Sequence, residues 1–226
     1  MLQKISGVIL RPDEFFTGQM KSAVELKYPI AIVLVAGILG AASGYLVGEM
    51  TARMFSGTGM GISQIMLASS VGGAFIGVFL MWLVIAGILH LISLAFHGSG
   101  EFKRTLECTG WGFIPMVFSA IIGLILALYY VPQVHVPVLR SLQDPALIQA
   151  AVNTLMNDPA MFQFRLISSV IGIIFMLWSA NIWIFGIRHA RNLSARNAAI
   201  TVLIPVAVYI IITLYSLFSA GIPPGV

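Results

Sequence analysis

The chain has 226 residues, of which 59% are hydrophobic and only 9% charged, and its mean hydropathy is +0.99. One soluble core cannot hide that much apolar surface, so the composition excludes a soluble globular protein and points to an integral membrane protein. The net charge of +4 comes from twelve Lys and Arg residues scattered between apolar runs, with no aromatic-interleaved basic surface, which excludes nucleic acid as a partner. The lone Cys108 excludes an internal disulfide.

The expected fold is all-α: a polytopic membrane bundle of five transmembrane helices plus short interfacial amphipathic helices. Residues 1–27 form a cytoplasmic interfacial segment. Arg11, Asp13 and Glu14 interrupt its apolar run too early for a signal-peptide core, so the first span is expected to serve as its own insertion signal. Phe15, Phe16, Met20 and Val24 make an apolar stripe. Lys21 and Glu25, four apart, are expected to pair on the wet side of the same helix.

The membrane domain, 28–226, starts with a span over 28–47, where Pro29 suits a first helical turn. "GTGMG" at 57–61 reads as a flexible turn, because it lacks the Gly-Lys-Ser/Thr of a P-loop. No formal charge occurs between Arg53 and Glu101. The apolar stretch from Ile62 to Phe96 would run about 52 Å as helix, too long for one upright span and too short for two with a turn. It is expected to be one long tilted helix with its core over 73–96, extended or bent before Gly72-Gly73. Gly98 and Gly100 then end it. Glu101 to Thr109 can form a short amphipathic helix on the inner leaflet, with Phe102 and Leu106 on one side and Glu101–Arg104 and Lys103–Glu107 pairs on the other.

The third span is expected over 111–131. In "DPALIQAAVN", Asp144 is an N-cap and Pro145 the first helical residue of an uncharged amphipathic helix lying in the outer interface. Asp158-Pro159 repeats that start before the fourth span, 162–187, and the fifth is 198–219. Short loops rich in Lys and Arg stay cytoplasmic. Lys4, Arg11, Lys21, Lys27, Lys103, Arg104, Arg188, Arg191 and Arg196 fall on one side of this topology; Arg53, Arg140 and Arg165 fall on the other. The N-terminus is therefore expected inside and the C-terminus outside a prokaryotic cell membrane.

Few residues in the spans carry chemistry. Gly40, Gly44 and Gly48 in the first span and Ser69, Gly73 and Gly77 in the second recur at spacing four, the pattern that lets helix backbones approach closely in lipid. These seams join either spans of one chain or two copies in a homo-oligomer. An ionisable group in hydrocarbon is costly and is a default functional pointer. His90 is such a group, and with Gln64 and Asn181 it would line a polar path, or it is a neutral imidazole bonded between helices. Glu49 and Arg53 read as an interfacial ion pair. No H-E-x-x-H, G-x-S-x-G or P-loop is present, so no enzyme, cofactor or metal site is expected.

Three blocks resemble the Yip (Ypt-interacting protein) membrane family: "LRPDEFF" at 10–16, "GSGEFKRTLECTGWGFIP" at 98–115 and "LWSANIWIFGIRHARNLSARNAA" at 177–199. The resemblance implies five membrane helices. It associates the family's eukaryotic members with small GTPases, vesicle traffic and membrane shaping. This chain has no Asp-Leu-Tyr-Gly-Pro-type motif, so it is similar to minimal prokaryotic members, and GTPase binding is not carried over. The expected function is a non-enzymatic membrane organiser or adaptor whose cytoplasmic face, with Lys103, Arg104, Arg188, Arg191 and Arg196, contacts lipids or a protein partner. The alternative is a small transporter or channel.

Overall fold

In a computed structural model that describes residues 2–58 and 61–219, every regular element among the described residues is helical. In chain order the helices are α1 (Leu2–Leu10), α2 (Pro12–Gln19), α3 (Lys27–Met54), α4 (Ile62–Ala95), α5 (Phe102–Trp111), α6 (Ile114–Tyr130), α7 (Pro145–Met156), α8 (Pro159–Ala190) and α9 (Ala195–Ser219). Five of them, α3, α4, α6, α8 and α9, are long and apolar enough to cross a membrane. The expected turn at 57–61 includes Gly59 and Met60, and the end of the expected membrane domain includes 220–226; these lie outside the described residues.

Local chemistry accounts for the boundaries. Asp144 caps α7 by accepting a 2.9 Å hydrogen bond from the Ala146 N–H, with Pro145 at the first position. Asp158 starts α8 the same way, accepting from the N–H groups of Ala160 and Met161. The helix α4 is continuous through Gly72-Gly73 and begins eleven residues before the expected core. At its end the expected glycines do not make the left-handed turn. His97 does, at φ 59°, and the Gly98 N–H reaches back to the Ser93 carbonyl. Helix α8 ends alike, with Asn192 at φ 52° and the Leu193 N–H on the Arg188 carbonyl.

The chain divides into two compact units, each built from portions of the long helices. The first comprises Met1–Gly37, Gly77–Ser119 and Gly172–Ile211. Its core joins Val8 and Phe16 from the N-terminal helices, Trp82 and Leu89 from α4, Cys108 and Trp111 from α5, and Ile182, Trp183 and Ile187 from α8. The second comprises Ile38–Ile76, Ala120–Ile171 and Ile212–Val226, around Met50, Met54, Leu139, Leu155 and Met161.

The N-terminal segment departs from expectation. Helix α2 stops at Gln19, and residues 23–26 run without regular structure. Lys21 and Glu25 therefore do not share a helix face, and Glu25 instead meets Lys4 at 3.2 Å. Phe16 is fully buried against the core, so α2 packs into the unit with the stripe's first half. In the second unit, Glu49 and Arg53 form the expected i,i+4 pair at 2.6 Å.

Candidate functional site

Helix α5 organises the first unit. It does not lie on a surface: Thr105, Glu107, Cys108, Thr109, Gly110 and Trp111 are all buried. Its insertion depends on small residues. A side chain at Gly110 would stand 2.5 Å from the Pro29 ring, and one at Gly112 would collide with the Trp183 indole. The two neighbouring tryptophans tie α5 through its own carbonyls, Trp82 donating to Leu106 at 3.0 Å and Trp183 to Thr109 at 2.8 Å. Burial pushes the Cys108 thiol up, far from thiolate reactivity.

Glu107 is the residue sequence reasoning misplaced. The expected Glu101–Arg104 and Lys103–Glu107 pairs do not form. Arg104 pairs with Glu107 at 2.6 Å, with Glu107 wholly buried. The carboxylate also accepts from Gln19 Nε2 at 2.6 Å and the Glu25 N–H at 3.1 Å. Arg104 donates in turn to the carbonyls of Gln19 and Ser22. A buried charge is tolerated only when paired and fully hydrogen-bonded, and here the bonds fasten residues 19–25 onto α5. The signal in sequence was the uncharged, small-residue run after Glu107, which forces that end of α5 inward.

Arg191 is equally internal, at 1% exposure. Its Nε donates to Ser93 Oγ at 2.8 Å, and its two terminal nitrogens donate to the carbonyls of Gly98 and Gly100. The Ser99 N–H returns a bond to the Arg191 carbonyl at 3.0 Å, and Asn192 donates to Ser99 Oγ. One cation at the end of α8 thus clamps the last turn of α4 and the loop that follows it. Gly100, at φ 115°, takes a conformation and a closeness to Ala190 that a side chain would forbid. Arg191 consequently has no surface to offer a partner.

Asp13 joins α2 to the end of α8, accepting from Arg188 Nη1 at 3.1 Å and His189 Nε2 at 2.7 Å. The His189 hydrogen bond holds the Asp13 carboxyl below its ordinary value, outweighing burial, and the Arg188 charge adds to it. Of the basic residues singled out in sequence, Lys103 and Arg196 are exposed and have no ion-pair partner among the described residues; Lys21 and Lys27 share that condition.

Of the polar-path residues, His90 and Asn181 belong to the first unit and Gln64 to the second. His90 shares a 3.0 Å hydrogen bond with Thr105 Oγ1 and meets the Phe102 ring edge-on. Gln64, in the second unit, lies in the first turn of α4 and accepts from Ser63. Asn181 is exposed on α8. The glycine seams also separate. A side chain at Gly44 would meet the Ser70 carbonyl at 2.7 Å and Ala74 at 2.9 Å, and one at Gly48 would meet Ser70. Gly73 and Gly77 instead have open space around them, and Gly40 is half-buried in α3. Seam residues of α3 therefore pack on the Ser70–Ala74 face of α4, one position round from Ser69 and Gly73. Among the described residues no three His, Cys, Asp or Glu side chains gather as a metal site.

Comparison with known proteins gives a consistent result. The family model described as the Yip1 domain matches residues 6–217. An uncharacterized protein of the archaeon Methanocaldococcus jannaschii is 35% identical over 129 residues, covering 57% of this chain and 92% of the relative. No solved structure matches.

Proposed function

The chain belongs to the Yip1 domain family as a multi-pass membrane protein, and from that premise we propose that it is a non-enzymatic organiser or adaptor acting through the cytoplasmic end of the first unit. One observation carries the reading. Lys21, Lys27, Lys103 and Arg196 stand exposed in the unit without an ion-pair partner among the described residues, on a scaffold where Arg104, Arg188 and Arg191 hold α2, α5 and the ends of α4 and α8 in place. A fixed scaffold with free surface charge suits recognition of a charged partner or headgroup layer, whereas catalysis needs a reactive group. Nine of the twelve Lys and Arg residues belong to this unit, which supports placing this end inside the cell.

The test is crosslinking in native membranes followed by co-purification. Changing Lys103 and Arg196 to Glu reverses charge without touching the internal bonds. Loss of a reproducible crosslinked protein is the expected result. Unchanged recovery, with the variant folded, overturns the assignment of this surface.

A further inference from the structure

The first unit contains a cleft of about 460 Å³ with two chemically different sides. Met20, Ala23 and Val24, from the segment after α2, give an apolar wall; Glu101, Arg104 and His189 give the polar one. Its depth in the bilayer follows from chain position. His189 is next to the last residue of the span α8, and Glu101 is six residues beyond the end of the span α4. The opening therefore lies at the level of lipid headgroups.

The polar wall has capacity left over. Arg104 uses both terminal nitrogens on Glu107, Gln19 and Ser22, and its Nε has no partner among the described residues. His189 donates from Nε2 to Asp13, which leaves Nδ1, without a partner among the described residues, as an acceptor. Glu101 is exposed, makes no side-chain capping bond to α5 and has no ion-pair partner among the described residues. The wall thus offers one free carboxylate and, beside it, a spare N–H donor on the Arg104 guanidinium. An anion alone would face Glu101, and a cation alone would leave the Arg104 donor unused. A zwitterion carrying ammonium and phosphate satisfies both.

We propose that this cleft is a binding site for a phosphate–ammonium group of the phosphoethanolamine type, with the ammonium on Glu101, the phosphate on Arg104, and the first carbons against Met20 and Val24. It deepens the adaptor reading by naming a ligand class at the same end of the molecule, and it rests on that reading only for the location. The full-length protein in mixed nanodiscs of phosphatidylethanolamine and phosphatidylglycerol, released into native mass spectrometry, gives the ratio of the two retained lipids. Wild type should favour the ethanolamine lipid. Glu101→Gln, at an exposed site that does not threaten the fold, should cut that preference about threefold, the scale of a solvent-screened pair. Val24→Trp, filling the cleft, should lower retention of that lipid at least about tenfold.

A second arm adds soluble phosphoethanolamine. Displacement of the lipid by it supports the shared chemistry with a lipid source. Binding of the soluble compound to a protein that retains no ethanolamine lipid supports the same chemistry with a soluble source. Equal retention of both lipids without soluble binding, or a preference untouched by both substitutions, overturns the proposal. Either result leaves the crosslinking test of the adaptor reading standing by itself.

Discussion

The two units are made from portions of the same long helices, yet they are stabilised differently. The first holds nine of the twelve basic residues and five of the eight acidic ones; the second holds Arg53, Arg140 and Arg165 against Glu49, Asp144 and Asp158. In the first, charge goes inside: Glu107 and Arg191 are buried and bonded on every side. In the second, Arg53 and Glu49 pair in the open, the buried charge is Asp158 at the start of α8, and packing rests on glycine meeting Ser70 and on a methionine-rich core. Buried ionic bonds fix a unique arrangement of segments but are costly to disturb, whereas apolar packing tolerates exchange of similar volumes. The first unit should therefore be brittle to single polar substitutions and the second sensitive chiefly to volume.

The largest effect should come from Glu107→Ala. It strands Arg104 and leaves Gln19 Nε2 and the Glu25 N–H without their acceptor, a loss of about 3–5 kcal/mol for breaking a buried pair. Chemical unfolding in detergent, followed by tryptophan fluorescence, should show a much lower midpoint. A loss below about 1 kcal/mol would mean that buried charge does not hold this unit.

Steric tests come next and touch both units. Gly112→Ala drives a methyl into the Trp183 indole, and Gly44→Ala drives one into the Ser70 backbone; each should cost about 1–3 kcal/mol by overpacking. Gly77→Ala, with nothing within 4 Å, should change monomer stability by less than about 0.5 kcal/mol. Thermal shift of the three variants in one detergent ranks them directly.

A smaller effect is expected at the Asp158 cap. Asp158→Ala should cost about 1 kcal/mol, the usual loss of a helix cap, visible as a modest drop in melting temperature. Burial pushes Asp158 up, but hydrogen bonds from the His135, Met161 and Ala160 N–H groups and the His135 ring outweigh it, and the net shift is downward. Asp13 is also held low. A carboxylate depressed on folding contributes stability above its unfolded value and loses it as pH falls through the folded one. Melting temperature should thus stay level for these two groups down to the ordinary carboxylate value of 3.8 and decline below it. Asp158→Ala should flatten part of that decline. Arg53→Ala, last in order, removes an exposed i,i+4 pair and should cost no more than about 0.5 kcal/mol.

Much was legible in the chain itself. Runs of about 20 apolar residues have one low-energy solution in lipid, a helix that satisfies its own backbone. That condition is local, so α3, α4, α6, α8 and α9 follow from composition, as do the starts of α7 and α8 from Asp-Pro. The family signature was also readable, because it lies in contiguous blocks at 10–16, 98–115 and 177–199. What tertiary structure alone decided is which side of each short helix faces inward and which charges meet. Glu107 could pair with Lys103 or Arg104 at equal helical reach; burial of α5 among Trp82, Trp183 and Pro29 chose Arg104 and recruited Gln19 and Glu25 from 88 and 82 residues away. Arg191 was equally plausible as a surface anchor until Ser93, Gly98 and Gly100 converged on it. Local sequence dictates a helix because its bonds close within one turn, whereas the fate of a charge depends on partners that only the assembled chain brings near.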